Sequence, residues 1–188
     1  DGRFFDAVIP AYIEKELFPY IEQPDNYYLF MGRLIERKGY QIAAEVCKYL
    51  GAELLIAGQG TPPQYGTHVG VVGKERRAEL FGHAIASFAP TIYVEPFGTV
   101  VIESQMCGTP ALTTDWGAFT ETVVNGLSGY RCRTFKDFVD AAIKAKEMDR
   151  KAIREYAESR YSLEAVQVQY DSYFRKLLTL WGDGWYSI

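Results

Sequence analysis

The sequence contains few of the residues that most often carry hydrolytic or metal chemistry. Its histidines are His68 and His83, and no Ser-His-Asp or Cys-His arrangement emerges from the spacing. The cysteines, Cys47, Cys107 and Cys132, lie far apart in apolar settings and lack the spacing of metal ligands. Because their number is odd, a disulfide framework is disfavoured. We expect buried free thiols, which suit a reducing compartment and predict a cytoplasmic protein.

Long apolar runs and an excess of basic charge are also missing. No stretch reaches the roughly 20 apolar residues that a membrane span requires, so none is predicted; peripheral attachment of a full-length protein stays open. Lysine and arginine total 20 against 24 acidic residues, and the basic residues are scattered, so no nucleic-acid interface is predicted. The chain begins Asp1-Gly2-Arg3 without an initiator methionine or a signal peptide, and we interpret it as part of something longer.

The apolar residues that are present predict one well-buried α/β domain. They make up 48% of 188 residues and fall in short buried runs that alternate with helical patterns. Such alternation predicts a Rossmann-like, doubly wound parallel sheet of about six strands with helices on both faces. The predicted strands are 27–33, 53–58, 68–73, 91–94, 110–114 and 129–132. The predicted helices are 39–50, 74–86, 99–107, 117–124, 135–148, 150–161 and 163–180, the last capped by Ser162.

The region around Glu95 is where the sequence is most informative. Pro96 biases Glu95 towards an extended backbone, which predicts its carboxylate at the carboxyl end of the strand 91–94. Gly98 permits a sharp turn and a close approach of a ligand. In parallel sheets, ligands bind at the carboxyl edge of the strands. We therefore expect Glu95 to face a binding crevice.

The helix after this turn adds donors and a second carboxylate. It is predicted to begin near Thr99, with the free amides of Thr99, Val100 and Val101 directed at the strand end, where they favour an anion. Glu103 lies about one turn further, and its side chain leans back towards the helix start. Acceptors for hydroxyls and donors for phosphate are what a sugar nucleotide requires. From these residues alone, an acid that merely complements the helix dipole explains Glu103 equally well.

Seven residues separate Glu95 from Glu103, with Pro-Phe-Gly between them and Gly-Thr-Pro following. This segment resembles the glutamate-x7-glutamate motif of retaining GT-B glycosyltransferases, the "group 1" family also called family four. The resemblance extends from about Tyr28 to about Tyr173. It implies the donor-binding, C-terminal lobe of such an enzyme, with an interdomain lead-in over 1–26, the donor domain over 27–161, and a C-terminal helix and tail over 162–188 that cross towards a missing N-terminal lobe. An exposed apolar patch is expected at Leu177–Trp181.

The resemblance also implies three catalytic residues, Arg33, Lys38 and Glu95. The Gly32-Arg33-Leu34 and Lys38-Gly39 patterns are similar to the family's phosphate-binding loop, which places Arg33 and Lys38 on the diphosphate. Arg37 is outside the motif and serves as an internal control. Glu95, with the backbone of Phe97 and Gly98, is implied to orient the hydroxyls of the sugar.

The remaining implied contacts concern the nucleoside and the diphosphate. Glu103 is implied to hold the ribose, and the amides of Thr99 and Val100 to hold the diphosphate. Gly58-x-Gly60 is not a dinucleotide fingerprint, because Pro63 stands where the third glycine would be needed. The resemblance implies instead that Gly58 belongs to a loop beside the nucleotide. Val72 is implied to contact the base. Glu121 is a further candidate for a structural or donor-proximal role, although an acid at a helix start explains it nearly as well.

The implied function is transfer of a hexosyl group from a UDP- or GDP-sugar to a hydroxyl of a glycan, lipid or small-molecule acceptor. Neither a tightly bound cofactor nor a metal is expected. Because the acceptor lobe is not encoded here, the chain is expected to bind donor but to transfer poorly or not at all alone. One alternative is a non-catalytic nucleotide-sugar-binding module or partner-dependent subunit. Another is a sugar-nucleotide epimerase, against which the lack of an obvious general base counts.

Overall fold

The structure, a computed structural model, describes residues 7–183 as a parallel α/β sheet with helices on both faces. The strands are β1 Tyr27–Met31, β2 Glu53–Ala57, β3 Thr67–Gly70, β4 Ser87–Ala89, β5 Ala111–Thr114 and β6 Gly129–Cys132. The helices are α1 Tyr40–Leu50, α2 Lys74–His83, α3 Thr99–Met106, α4 Phe119–Thr122, α5 Phe135–Ala145, α6 Arg150–Tyr161 and α7 Leu163–Asp183. Short 3-10 turns occupy Lys15–Leu17 and Glu36–Lys38. The predicted fold class is confirmed.

The strand order is β3-β2-β1-β4-β5-β6, and each neighbouring pair is parallel. The chain runs outwards from β1 to β3 and then returns to β4 on the opposite side of β1. The connections therefore diverge between β1 and β4. In open parallel sheets this switch point opens a crevice at the carboxyl ends of the two strands, and it is the usual ligand site.

The core lies in two layers because every residue of β1 is buried. Tyr28 and Phe30 face one layer, where they pack with residues of α1 and α5. Leu29 and Met31 face the other layer, with residues of α2, α3 and α6. Burial on both faces explains why β1 is continuously apolar instead of alternating.

The predicted strand 91–94 is wrong. The fourth strand is β4, which pairs with β1 and β5, and Pro90 follows it directly. Proline has no backbone N–H for the ladder, so pairing ends there. Ile92 and Val94, the β-branched residues behind the prediction, are 54% and 72% exposed. Glu95 consequently lies in a loop beyond the strand and not at its end.

Other boundaries differ by a few residues. β3 and α2 end three residues before the predicted ends, and α4 is a single short turn. The predicted cap of α7 is confirmed, since the amide of Ala165 donates to the Ser162 hydroxyl at 3.2 Å. Of the predicted apolar patch, Leu178 is 83% exposed and Leu177 is half-buried, whereas the side chains of Leu180 and Trp181 lie outside the described residues.

The lead-in segment is fastened to the amino edge of the sheet by one buried arginine. Arg150 donates to the carbonyl oxygens of Ile21, Gly82 and Ala84 and to the hydroxyl of Thr109. Its acceptors precede β1, β4 and β5, so Arg150 lies opposite the crevice. Burial lowers the pKa of its guanidinium below the usual value. The arginine stabilises the fold at the edge remote from the ligand site.

The cysteines are free and buried, as predicted. Burial raises the pKa of each thiol to about 12. Within residues 7–183 no helix is both long and apolar enough to cross a membrane.

Candidate donor-binding site

A cleft of about 470 Å³ opens at the carboxyl ends of β1, β2 and β4, where the topology places the switch point. Three cations, Arg33, Lys38 and Arg77, and one carboxylate, Glu95, line its described walls. The balance of charge favours an anionic ligand. The structure brings nine of the proposed site residues into this lining: Gly32, Arg33, Lys38, Gly58, Val72, Glu95, Gly98, Thr99 and Val100.

Lys38 and Glu95 form a partly buried ion pair, and the Tyr93 hydroxyl hydrogen-bonds to both of its members. The Lys38 ammonium lies 2.7 Å from Glu95 Oε2, and the Tyr93 hydroxyl donates to the same oxygen at 2.7 Å. Lys38 also donates to the Tyr93 hydroxyl at 2.6 Å and lies 4.9 Å above the ring centroid. Burial lowers the pKa of Lys38, but its hydrogen bonds to Glu95 and Tyr93 outweigh burial and leave the pKa raised. Lys38 is therefore a cation held in place at the cleft wall.

Local backbone geometry brings this pair together. Gly39 has a φ of 70°, and a Cβ there would collide with the Pro90 carbonyl oxygen. The 3-10 turn carrying Lys38 can therefore pack directly on the loop that begins at Pro90. The amide of Ile92 donates to the Arg37 carbonyl at 2.9 Å and extends this contact. Arg37 itself is exposed and does not line the cleft.

The start of α3 supplies amide donors. Gly98, with a φ of 77°, precedes the helix, and a Cβ there would lie 2.6 Å from the Phe119 ring. The Val101 amide donates to the Gly98 carbonyl, so the prediction of a free amide at Val101 is wrong. Among the described residues, the amides of Thr99 and Val100 have no hydrogen-bond acceptor, and both residues line the cleft. Free amides at a helix start are a favourable place for phosphate oxygens.

Glu103 lies behind the cleft wall, in contact with a residue that the sequence analysis missed. Arg77 Nε and Nη2 lie 2.8 and 2.5 Å from Glu103 Oε2, and Arg77 lines the cleft although Glu103 does not. Burial raises the pKa of Glu103, and the Arg77 charge only partly reverses this. Arg77 stands in the charged run Lys74–Arg77 at the start of a surface helix. The run itself does not mark Arg77, but its helical spacing from the buried residues Leu80 and Phe81 is a signal that it faces inwards.

The Phe97 side chain and Glu121 lie outside this cleft. Phe97 packs edge-on against Tyr161, with ring centroids 6.3 Å apart, and lines a separate cavity of about 620 Å³ together with Glu121. Because the Phe97 side chain points away from the donor cleft, only its backbone could help to orient the sugar hydroxyls, as the resemblance implies.

Neither histidine lines the donor cleft. His68 Nε2 lies 2.8 Å from the Gly58 carbonyl oxygen at an exposed strand, and His83 lies near Asp25 at the end of α2. The general base that an epimerase requires is therefore not supplied by a histidine of this cleft. No group of three histidine, cysteine or acidic side chains in the described range is arranged to hold a metal ion.

A doubly wound sheet with a cationic cleft at its switch point defines a nucleotide-binding α/β lobe. The chain belongs to the family described as glycosyl transferases group 1, whose sequence model matches residues 14–160. This confirms the family resemblance stated from the Glu95–Glu103 segment.

Individual relatives agree with the family. A probable sucrose-phosphate synthase from Thermosipho melanesiensis is 28% identical over 167 residues, which cover 74% of this chain and 39% of that protein. A glycogen synthase from Mycobacterium tuberculosis is 32% identical over 122 residues, or 55% of this chain and 29% of that protein. The chain thus spans well under two thirds of the length of these relatives.

Solved structures share the fold. The glycosyltransferase AviGT4, involved in avilamycin A biosynthesis, superposes with a TM-score of 0.79 at 25% identity, over 92% of this chain and 58% of that one. Anabaena HepE, crystallised with UDP-glucose, superposes with a TM-score of 0.75 at 14% identity, over 90% of this chain and 57% of that one.

Proposed function

We propose that this chain is the donor-binding lobe of a retaining glycosyltransferase and holds a UDP- or GDP-sugar in the cleft around Lys38 and Glu95. The observation that carries the proposal is the convergence of a fixed cation, a fixed carboxylate and two free helix-start amides at the switch point of the sheet. The UDP-glucose bound by HepE, a protein of the same fold, supports the class of ligand.

The diphosphate is assigned to the cationic side of the cleft. Arg33 and Lys38 lie on the β1 side, and the amides of Thr99 and Val100 lie across from them at the start of α3. Cations and free amides at a helix start both favour the negative charge that develops on a departing diphosphate. These groups supply the stabilisation without a metal.

The sugar is assigned to Glu95. Its side chain is only 11% exposed, and two hydrogen-bond donors hold the carboxylate in one orientation at the cleft. A fixed acceptor is suited to binding sugar hydroxyls in a single pose. In transfer, the bond between the anomeric carbon and the diphosphate breaks, and its electron pair leaves with the diphosphate. The acceptor hydroxyl then bonds to the anomeric carbon from the vacated face, and its proton passes to the departing phosphate oxygen.

The nucleoside is assigned to the part of the cleft that Gly58 and Val72 line. Glu103, which Arg77 contacts behind the cleft wall, is assigned as the acceptor for the ribose hydroxyls. The domain limits proposed for this function are 27–161 for the donor domain and 162–188 for the helix and tail that follow. Because the chain spans less than two thirds of its relatives, we also propose that transfer depends on a further lobe or partner.

Calorimetric titration of the chain with UDP and GDP tests the assignment. Lys38→Ala is expected to weaken nucleotide binding by about 1–3 kcal/mol, because it removes a charge-assisted contact to phosphate. Arg37→Ala is the matched control, since Arg37 is the adjacent cation and does not line the cleft. An equal loss in both variants, or none in Lys38→Ala, would contradict the assignment.

A binding module is separated from an enzyme by a second measurement. UDP-glucose and GDP-mannose are incubated with the chain in the presence of a panel of acceptors, and release of free nucleotide is followed. The proposal expects binding with little or no transfer. Efficient transfer by the 188-residue chain alone would refute its dependence on a further lobe.

A further inference from the structure

Arg77 contacts Glu103 in a way that distinguishes it from the other ion pairs on α2. Two of its nitrogens, Nε and Nη2, bind a single carboxylate oxygen, Oε2, at 2.8 and 2.5 Å. The Glu103 side chain is 10% exposed and that of Arg77 is 35% exposed. The guanidinium therefore reaches from the cleft surface to a carboxylate buried behind it.

Arg76, one residue earlier, shows what an ordinary surface pair looks like here. It contacts Glu79 at 2.5 Å, but both side chains are more than half exposed, and Arg76 does not line the donor cleft. Exposed pairs of this kind contribute little to stability or function. A buried carboxylate, in contrast, is costly without its partner, so Glu103 depends on Arg77 for its charge and orientation.

As a consequence, the two carboxylate oxygens of Glu103 differ in their contacts. Oε2 is occupied by the guanidinium, whereas the described residues donate no hydrogen bond to Oε1. We propose that Arg77 is a positioning residue that fixes Glu103 so that Oε1 accepts the ribose hydroxyls of the bound nucleotide. This inference rests on the proposed function, because it requires a nucleotide in the cleft.

A direct role for Arg77 predicts a different result. If its guanidinium bound phosphate, its loss would weaken binding of ribonucleotides and 2′-deoxyribonucleotides by the same factor. If it positions Glu103, its loss removes the preference for the ribonucleotide and affects the deoxyribonucleotide less. The ratio of the two dissociation constants therefore separates the two roles.

The test is titration of the 188-residue chain with UDP and 2′-deoxy-UDP, and with GDP and 2′-deoxy-GDP, in Arg77→Met and the control Arg76→Met. The unmodified chain and the control are expected to prefer the ribonucleotide by about tenfold, as one or two hydrogen bonds allow. In Arg77→Met the ratio should fall towards one. Glu103→Gln should lose the same preference, and the double variant should lose no more, since the two residues act as one unit.

The pH dependence of the ribose preference is a second measurement, and it would not change if Arg77 had only a structural role. Without Arg77, the buried Glu103 carboxyl protonates more readily, so the ribose preference of Arg77→Met should return as the pH rises from about 6 to about 9. In the unmodified chain the Arg77 charge favours the ionised carboxylate, so the preference should change less over that range. Arg77→Lys, which keeps a charge but not the paired nitrogens, should retain part of the preference at neutral pH and guards against misfolding of the methionine variant.

The outcomes are distinguishable. An unchanged ratio in Arg77→Met, or equal losses for both nucleotides, overturns the positioning role and leaves the proposed function intact. A chain that binds neither UDP nor GDP overturns the proposed function and this inference with it.

Discussion

Replacement of Arg150 by methionine is expected to destabilise the fold without changing the donor site. Arg150 is 8% exposed and makes four hydrogen bonds, at 2.8, 3.0, 2.6 and 2.8 Å, to groups on three separate segments. Methionine fills a similar volume but donates to none of them. Three carbonyl oxygens and one hydroxyl then lose their buried donor.

The magnitude follows from two opposing effects. Hydrogen bonds from a charged donor contribute about 1.5–3 kcal/mol each, so four of them amount to roughly 6–12 kcal/mol. Burial of the guanidinium offsets several kcal/mol of this, and its lowered pKa shows that the offset is present. We expect a net loss of about 3–5 kcal/mol in the free energy of unfolding, which is what remains of the hydrogen-bond contribution after this offset.

Urea unfolding followed by circular dichroism measures this loss, and Lys151→Met is the control. Lys151 is the next residue along α6, its side chain is 75% exposed, and its contact to Glu155 is 3.9 Å, so its removal should change stability by less than about 0.5 kcal/mol. UDP affinity should be unchanged in both variants at temperatures where they are folded. A loss below about 1 kcal/mol in Arg150→Met would refute the reasoning, because the four contacts would then be no stronger than solvent contacts.

Three further predictions concern the loop, the thiols and acidity. Gly98→Ala should lower stability by about 1–3 kcal/mol more than Gly126→Ala, because both positions have a positive φ but only Gly98 would press a Cβ against Phe119; thermal unfolding compares them. The thiols, with pKa values raised to about 12, should resist iodoacetamide at neutral pH until the chain is unfolded, as mass spectrometry would show. Since the pKa of Glu103 is raised, titrations of UDP and 2′-deoxy-UDP should show the preference for ribonucleotides weakening at a higher pH than an exposed glutamate would give. The free energy of unfolding should respond in the opposite direction. The folded state binds this proton more tightly than the unfolded state, so protonation of Glu103 on acidification favours folding.

The parts of the fold that follow from short-range patterns were predictable from the sequence. β1 and β2 are runs of apolar residues between glycines and polar turns, and such runs indicate strands buried on both faces. β4 could not be found in this way, because it has only three residues and includes a serine. Its identity as a strand depends on β1 and β5 lying on either side of it, which is a property of the tertiary fold. The apolar residues just after it, Ile92 and Val94, gave a stronger but misleading pattern.

In the candidate site, too, short-range patterns predict some residues, whereas others are brought together only by the tertiary fold. Glu95 and the helix start at Thr99 belong to one short motif, and Lys38 belongs to a second, so two local patterns predict them. Arg77 pairs with Glu103 across 26 residues of sequence, and no local pattern connects the two. The apolar run around Tyr93 predicts a strand, and this prediction gives the Tyr93 hydroxyl no role in the site. In the folded chain it lies in a loop, where its hydroxyl joins Lys38 to Glu95.

Because β4 ends at Ala89, loop contacts and not the sheet hold the Glu95 carboxylate. A residue at a strand end is fixed by the sheet, whereas a residue six positions beyond the strand needs other supports. The loop has them: the Ala118 amide donates to the Glu95 carbonyl at 2.9 Å, and the Trp116 indole donates to the Tyr93 carbonyl at 3.1 Å. The Lys38 contact to the carboxylate itself adds a third, from the turn before α1. Two separate segments therefore fix Glu95 before any ligand arrives, and a preorganised acceptor of this kind loses little entropy on binding a sugar.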